Sequence, residues 1–362
     1  MEHELREEII ALSKELIKFR TTEERIDELK ACINYIKAYF KDENVTVREF
    51  CYKEKPSLII RFNKRKRQDL ILNGHIDVVE GNDSQFVLEQ NGSRLFARGS
   101  SDMKIAVATM MILMRNLSKA KNPPLVGLMI VSDEEIGGFN GTRRLLQRGY
   151  SAKFAVTGET SKFNLETKHK GSLQVRLTAY GRHSHASRPW LGENAIEKLF
   201  RQYQKITAEI PTATVKHKWL PSVNPTNFIS AGPYNVTPAK AEMVLDIRTT
   251  EEFSNRKILN TLKKLNIKYK KILDSGMLYN INRNEYIKSL KQITQRVLGK
   301  KVKYIKSSGG SDTKFFTEKG IPAVNFGPVG RNHHKTNEYL EIGSIEPYYK
   351  ILEKFIHEKF NR

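Results

Sequence analysis

The chain is poor in cysteine and in long hydrophobic runs, and both absences exclude classes of protein. Its 362 residues include two cysteines, Cys32 and Cys51. Because these fall in different predicted elements and no secretory segment is recognisable, we expect free thiols rather than a disulfide framework. No apolar run approaches the roughly 20 residues that a membrane-spanning helix needs. The first residues, Met1 to Glu4, are mostly charged. We therefore expect a cytoplasmic protein with no membrane partner.

Acidic residues are outnumbered by basic ones, which raises the question of a nucleic-acid partner. Lysine and arginine number 62 against 40 aspartate and glutamate residues, a net charge of +22. The densest basic runs are Lys64–Arg67, Lys263–Lys271 and Lys300–Lys306. None alternates with aromatic side chains as a base-stacking surface would. We therefore expect solvated faces and no nucleic-acid partner, although the positive field would help to attract an acidic substrate.

The hydrophobic pattern divides the chain into two domains, as its length also favours. Apolar runs typical of buried strands alternate with helical patterns up to Gly171, which indicates a mainly parallel sheet covered on both faces. From Leu173 onward the strands alternate apolar and polar residues, in the β-α-β-β-α-β order of a ferredoxin-like domain. We therefore predict an α/β protein. A three-layer α/β/α catalytic domain comprises residues 1–171 and 278–362, with an α+β domain inserted at residues 172–277.

The first 40 residues predict two amphipathic helices. Leu5, Ile9 and Leu12 share one face of the first helix. The stretch Thr21–Glu24 has the pattern of a capping box, so we expect the second helix to begin there.

Clusters of acidic residues and histidine follow the apolar runs of the predicted catalytic domain. They comprise His75 with Asp77, Asp102, Asp133-Glu134-Glu135 with Glu159, and His334. Each has an ordinary alternative: a structural histidine, an N-cap aspartate or a solvated acidic turn. Together they supply the imidazoles and carboxylates that two zinc-like ions need, with one acid left over to activate a water. The joint pattern therefore predicts metal-assisted hydrolysis.

The stretches around these clusters resemble the motifs of a known enzyme family. The matching segments are Gly74–Val79, Arg98–Lys104, Asp133–Gly137, Gly158-Glu159 and His334–Glu338, in the family's order. Within the predicted insertion, Gly181–Pro189 and Asn235–Pro238 look like the family's dimerisation-domain motifs. The sequence is thus similar to the co-catalytic zinc peptidases and deacylases. These include succinyl-diaminopimelate desuccinylase, acetylornithine deacetylase, aminoacylases and glutamate carboxypeptidases.

The resemblance implies a site with two divalent metal ions, zinc or alternatively cobalt. His75 and Glu159 would bind one ion, Glu135 and His334 would bind the other, and Asp102 would bridge the two. The neighbouring His333 is a close rival of His334, and the family's spacing favours His334. The motifs depart from the family at Glu80, where proline is usual, and at Ile105 and Ala106, where two glycines are usual.

The resemblance also implies the catalytic roles. Glu134 would be the general base, and Asp77 would support His75. The chain would form a homodimer through the inserted domain, so that His185 stabilises the oxyanion in the partner's active site. Asn235 would help from the same domain.

The segments that bear on the substrate leave its acyl group open. Ser307–Asp312 resembles a loop of succinyl-diaminopimelate desuccinylases, and its Gly310 and Ser311 could hold a carboxylate. Lys170 and Arg248 could pair with a carboxylate or could be ordinary salt-bridge partners. The resemblance thus implies a small acidic N-acyl amino acid or peptide as substrate, and a desuccinylase most closely. Tyr234–Lys240 also looks like deacylases of archaeal lysine biosynthesis.

Several alternatives therefore compete at the level of function. Within the family, an acetylornithine or acetyl-lysine type of deacetylase and a metallo-carboxypeptidase or dipeptidase are alternatives to the desuccinylase. A relative that keeps the fold only as a binding module is a non-enzymatic alternative. Retention of every ligand type and of Glu134 favours an enzyme.

Overall fold

The computed structural model describes residues 2–280 and 284–361, and the chain divides into two compact units. The first comprises Met1–Lys168, Leu278–Lys306 and Ser311–Arg362, and the second comprises His169–Met277 and Ser307–Gly310. The second unit therefore begins slightly before the predicted boundary at residue 172. It also contains Ser307–Gly310, a segment that the sequence placed in the catalytic domain.

The helices lie in both units. In chain order they are α1 (Glu2–Lys18), α2 (Ile26–Tyr39), α3 (Lys104–Ser118), α4 (Thr142–Gln147), α5 (Ala195–Glu209), α6 (Asn255–Lys264), α7 (Glu285–Leu298), α8 (Thr313–Glu318) and α9 (Ile345–Phe360). Short 3-10 helices lie at Asp83–Phe86, Pro189–Leu191 and Ile342–Ser344. No helix in the described part of the chain is both long and apolar enough to cross a membrane.

The strands pair into three sheets. In chain order they are β1 (Thr46–Tyr52), β2 (Lys55–Arg61), β3 (Arg67–His75), β4 (Glu89–Asn91), β5 (Arg94–Phe96), β6 (Val126–Val131), β7 (Ser151–Thr157), β8 (Leu165–His169), β9 (Gly171–Tyr180), β10 (Ser222–Ile229), β11 (Lys240–Thr249), β12 (Tyr269–Ser275), β13 (Leu278–Tyr279), β14 (Tyr304–Ser307), β15 (Ala323–Asn325), β16 (Gly330–Arg331) and β17 (Tyr339–Glu341).

The large sheet has the order β1-β2-β6-β3-β7-β15-β8-β13, with β14 paired to β8. Its central strands β6, β3, β7 and β15 are parallel, and β1, β2 and β8 are antiparallel to their neighbours. Both faces are buried, since Leu70 and Leu72 of β3 enter one hydrophobic core and Ile71 enters another. Helices α1, α2, α3, α7 and α9 contribute to the first core, and α4 and α8 contribute to the second. The predicted three-layer α/β/α architecture is confirmed.

The second unit contains an antiparallel sheet of order β10-β11-β9-β12. The element order β9-α5-β10-β11-α6-β12 and this strand order are those of a ferredoxin-like fold, as predicted. Leu173 and Val175 of β9 pack with Leu199 of α5 and Leu262 of α6 in a separate hydrophobic core. The alternation along β9 thus reflects one face covered by helices and one that bears polar residues.

A third, smaller sheet has the order β16-β17-β5-β4 and was not predicted from the sequence. Strands β16 and β17 pair with each other, and β17 pairs with β5 through Tyr339 opposite Phe96. The loop that carries His334 joins β16 to β17. This sheet therefore fixes both ends of that loop beside the segment that follows β5.

The N-terminal helices form where expected, but the capping-box prediction is wrong. Helix α2 begins at Ile26, after Arg25 as N-cap, and no side chain caps it. The Thr21 hydroxyl instead donates a hydrogen bond to the Ile76 carbonyl, 2.5 Å away. The Thr21 hydroxyl, which a local cap would have used, is therefore engaged in a tertiary contact just after β3. Both cysteines are free thiols, as expected, with Cys32 buried and Cys51 exposed.

Candidate metal centre

The candidate ligands gather at the carboxyl ends of three adjacent parallel strands. In the order β6-β3-β7, β3 ends at His75, β6 is followed by Glu134 and Glu135, and β7 is followed by Glu159. Ligand sites in open α/β sheets lie at such ends because the loops there leave the sheet on the same side. In the register of the sheet, His75 lies opposite Val131, the last residue of β6. His75 and the acidic residues that follow β6 therefore lie at the same edge of the sheet.

The structure brings the predicted ligands into two groups. In one group, a donor atom from each of His75, Glu134 and Glu159 lies within 4.8 Å of the others. In the other, the same holds for Asp102, Glu135 and His334. Within these groups, six side chains from five separate segments converge.

Asp102 lies between the two imidazoles. Its Oδ1 is 3.1 Å from His75 Nε2, and its Oδ2 is 3.2 Å from His334 Nε2. His75 Nε2 is also 3.5 Å from Glu159 Oε1, and His334 Nε2 is 3.1 Å from Glu135 Oε2. One carboxylate thus presents one oxygen to each group, which is the geometry that a bridging ligand requires.

Glu134 belongs to the first group of donors, although its predicted role is that of a general base. Burial raises the pKa of the Glu134 carboxyl well above its usual value, and the carboxylate of Glu159 adds to the shift. A nearby divalent cation would counter this shift and favour the ionised form. Its position is therefore compatible with a base beside an ion and with a ligand of that ion.

The charges of the cluster fit divalent cations. Burial opposes protonation of His75, but the neighbouring carboxylates of Asp102, Asp77 and Glu159 outweigh it and raise its pKa. Asp102 and Glu135 raise the pKa of His334 to about 10. The carboxylates thus favour protons on both imidazoles. Mixed imidazole and carboxylate donors suit zinc and similar ions, which would replace these protons.

Asp77 contacts the cluster through both its backbone and its side chain. His75 Nδ1 is 2.9 Å from the Asp77 carbonyl oxygen and 3.5 Å from its carboxylate Oδ1. The other carboxylate oxygen accepts a hydrogen bond from the Glu135 backbone N–H at 2.8 Å. Asp77 therefore orients His75 mainly through its backbone and fastens Glu135 through its side chain.

The chain is similar to proteins of a known family. A model of peptidase family M20/M25/M40 matches residues 71–358, which contain every candidate ligand. The chain belongs to this family. It is accordingly a metal-dependent hydrolase.

Relatives of the M20 chain include a succinyl-diaminopimelate desuccinylase from Rickettsia bellii. It is 26% identical over 317 residues, 80% of this chain and 81% of that protein. An M20 metallo-carboxypeptidase from Sulfolobus solfataricus is 20% identical, with a TM-score of 0.77 over 96% of this chain and 98% of the other. A dinuclear metal-binding M20 peptidase from Bacillus subtilis is 14% identical, with a TM-score of 0.66 over 99% and 100%. The two solved structures share the fold.

Sequence reasoning missed two polar residues of the M20 site, Arg98 and Glu338. Glu338 is buried and accepts hydrogen bonds from the backbone N–H groups of Ser101 and Asp102, at 2.9 and 3.1 Å. Arg98 pairs with Glu338, at 2.7 Å. Both lie inside matched motifs, Arg98–Lys104 and His334–Glu338, but their mutual contact spans 240 positions and leaves no local signal.

His333 also lies beside the cluster. Its Nδ1 is 3.5 Å from Asp102 Oδ2, and its Nε2 is 2.8 Å from the Thr160 hydroxyl. His334 contacts both Asp102 and Glu135. The second group thus contains the histidine that the motif spacing favours.

The predicted residues of the second unit occupy two neighbouring loops and the sheet. His185 is exposed, and its Nδ1 accepts a hydrogen bond from the Ser187 backbone N–H at 3.2 Å, which leaves Nε2 to carry the proton. Asn235 lies alongside, since its carbonyl accepts from the Ala186 N–H at 2.8 Å. The two residues are therefore held next to each other, as a joint role requires.

The predicted carboxylate-binding residues already have partners. The Lys170 ammonium is buried and donates to the Leu220 carbonyl at 2.6 Å, and burial lowers its pKa. Arg248 donates through Nε to Asp246 at 2.8 Å. Ser311 belongs to the first unit and is buried, with its hydroxyl 2.9 Å from Asn325 Oδ1, whereas Gly310 is exposed. Of these four, Gly310 is exposed and Arg248 is half-buried, so these two are more accessible to a ligand than Lys170 and Ser311.

Proposed function

We propose that the M20 chain is a dinuclear metal amidohydrolase that cleaves the amide bond of an N-acyl amino acid, with N-succinyl-diaminopimelate as its principal substrate. The observation that carries the proposal is the pair of donor groups that meet at Asp102, with Glu134 beside them. The desuccinylase relatives support the choice of substrate.

The residues divide between two ions in this proposal. His75, Glu159 and Asp102 would hold one, and Asp102, Glu135 and His334 would hold the other. Zinc suits this donor set, and cobalt is the alternative. When bound, such ions lower the pKa of a water and polarise the substrate carbonyl.

Glu134 would move the proton. Its carboxylate takes a proton from the attacking water and delivers it to the nitrogen of the departing amine. Glu134 is half-buried and lies within 4.8 Å of donor atoms of His75 and Glu159, so it would lie beside the first ion. The resemblance to the family supports this role, since it assigns His75, Asp102, Glu135, Glu159 and His334 to the ions and leaves Glu134 as the base.

His185 would donate from Nε2 to the oxyanion in the active site of a partner subunit, with Asn235 as a second donor. The edge strand β10 supports a homodimer, because residues 224–230 are exposed and include Phe228 and Ile229. The Phe228 ring stacks on the exposed Phe200 ring of α5, with centroids 5.8 Å apart. An exposed edge strand of this kind is a template for pairing with a second copy.

The dimer is tested with Phe228→Asp, and Val215→Asp is the control because Val215 is 87% exposed but lies outside the sheet. Size-exclusion chromatography with light scattering should show a dimer for the wild type and the control and a monomer for Phe228→Asp. Turnover should fall with the dimer while metal content stays unchanged. A fully active wild-type monomer would refute this part of the proposal.

A cavity beside the metal cluster favours a second candidate substrate class. It has a volume of about 350 Å³ and adjoins Asp77 and Glu135, with Glu23, Glu24 and Glu80 in its lining. Its acidic lining would attract a cationic group, such as the free ammonium of an N-acetyl-lysine or of a dipeptide. A deacetylase or dipeptidase specificity is therefore the alternative that this feature supports.

One substrate panel separates these alternatives. N-succinyl-diaminopimelate, N-acetylornithine, N-acetyl-lysine and dipeptides are assayed with the zinc-loaded and the cobalt-loaded protein. The largest kcat/KM is expected for the succinylated substrate. A preference for an acetylated amino acid or a dipeptide would replace the substrate assignment, and no hydrolysis by the metal-loaded dimer would favour the non-catalytic alternative.

A further inference from the structure

The ion pair between Arg98 and Glu338 is buried next to the metal cluster. Arg98 is 3% exposed and Glu338 is 1% exposed. Arg98 Nη1 donates to Glu338 Oε2 at 2.7 Å. Such a pair is weak evidence for added stability, because removing two charges from water offsets most of their attraction. The reason for burying this pair is therefore sought in the other hydrogen bonds that Arg98 and Glu338 make.

Glu338 holds the segment that carries Asp102. While Oε2 accepts from Arg98, Oε1 accepts from the backbone N–H groups of Ser101 and Asp102, at 2.9 and 3.1 Å. These bonds fix the backbone of the residue whose carboxylate faces both imidazoles. A small shift of this backbone would move both Asp102 oxygens.

Arg98 also donates hydrogen bonds to the backbone of two other loops. Its Nη2 donates to the carbonyl of His334 and to the carbonyl of Glu80, each at 3.3 Å. The first contact lies at the candidate ligand itself, and the second lies three residues after Asp77. One guanidinium thus connects the loop after β3, the segment after β5 and the loop between β16 and β17.

The backbone of His334 explains why this loop needs external support. His334 has φ of 64°, in the left-handed region that residues with a side chain other than glycine rarely adopt. Such a conformation persists only where the surroundings hold it in place. The hydrogen bond from Arg98 to the His334 carbonyl is one such restraint, and Gln85 donates to the following carbonyls of Lys335 and Thr336.

We infer that the Arg98–Glu338 pair positions Asp102 and His334 in ligand geometry before any ion binds, and that it thereby sets the affinity of the metal site. The inference rests on the proposed metal-binding function. It makes Arg98 and Glu338 positioning residues, since neither is needed as a ligand. Removing such supports commonly lowers metal affinity by about 10- to 100-fold.

The test measures metal affinity of the metal-free protein by competition with a chromophoric zinc chelator. Glu338→Gln should weaken zinc binding by about 10- to 100-fold, because the amide is a poorer acceptor and leaves the Arg98 charge unpaired. The control is Glu341→Gln, which removes the partly exposed ion pair between Glu341 and Arg94 on the same small sheet. The control should bind zinc as the wild type does.

An unpaired buried charge is destabilising, so a double variant provides a second test that does not depend on the folding of Glu338→Gln. Arg98→Met with Glu338→Leu removes both charges and keeps similar volume, a change that often leaves stability intact. It should fold, as shown by circular dichroism and thermal melting without metal, yet bind zinc at least 10-fold more weakly.

The outcomes separate this inference from the proposed function. Wild-type zinc affinity in either folded variant overturns the inference alone. Unfolding of both variants also overturns it, because the pair would then serve the fold itself. A wild-type protein that binds no divalent ion overturns the metal function together with the inference.

Discussion

The substitution Glu134→Gln distinguishes a general base from a metal ligand. The change keeps the size and shape of the side chain but removes its ability to accept a proton. Because a Glu134 oxygen lies within 4.8 Å of donor atoms of both His75 and Glu159, the geometry alone permits either role. The two roles predict different effects on metal content and on turnover.

The expected loss follows from the role of Glu134 in proton transfer. Positioned acids and bases contribute about 10²- to 10⁴-fold to a rate, so kcat should fall by that factor. This corresponds to about 3–5 kcal/mol of activation free energy, at about 1.4 kcal/mol for each tenfold change. His75, Glu159 and Asp102 are unchanged in the variant, so both ions should remain bound.

The assay combines turnover with metal content. Steady-state kcat is measured on N-succinyl-diaminopimelate, and bound zinc is counted by plasma mass spectrometry after dialysis. The control is Glu135→Gln, which alters the residue 3.1 Å from His334 Nε2 and should lose an ion as well as activity. Near-wild-type turnover in Glu134→Gln, or loss of an ion from it, would refute the assignment.

Two further predictions concern the scaffold of the site. Burial raises the pKa of Glu166 from 4.5 to about 8, so between these values the folded state keeps a proton that the unfolded state has lost. Wild-type stability should therefore decline as the pH rises through this window. Glu166→Gln has no titrating proton. In denaturant titrations its free energy of unfolding should therefore decline by a few kcal/mol less than that of the wild type over this pH range, since each pKa unit is worth about 1.4 kcal/mol. An unchanged pH profile would contradict the buried proton, and the exposed Glu89→Gln is the control. Gly138→Ala should destabilise by about 1–3 kcal/mol or more, because Gly138 has φ of 74° and a Cβ there would lie 1.7 Å from Asp312 Oδ1. Gly343→Ala, with no atom within 4 Å of the added Cβ, should melt as the wild type does, and equal melting of both variants would contradict the crowding at Gly138.

The cluster of candidate ligands was predictable because these residues follow strands whose hydrophobic pattern is strong. His75, Glu135 and Glu159 each come within four residues of a buried strand end, and parallel neighbours bring such ends together. Asp102 and His334 lie on loops, and motif spacing rather than periodicity identified them. The structure places both against the strand-end residues.

The partners of individual side chains were not predictable from local sequence. The Ser311 hydroxyl is 2.9 Å from Asn325, and the Lys170 ammonium binds the Leu220 carbonyl. The Thr21 hydroxyl binds Ile76 instead of capping α2. In each case a buried polar group is satisfied by a residue that only the tertiary fold brings near. The sequence suggested a substrate carboxylate or a local cap as partners for these groups, whereas the distant partners in the fold leave no periodic signal.

The two donor groups around Asp102 should bind two divalent ions that the hydrolase needs for activity. The direct measurement is a zinc titration of the metal-free protein, followed by calorimetry, with hydrolysis of N-succinyl-diaminopimelate recorded at each metal ratio. Two ions per chain should bind, and activity should rise to its maximum only as the second site fills. Binding of fewer than two ions, or full activity of the chelated protein, would refute a dinuclear metal centre.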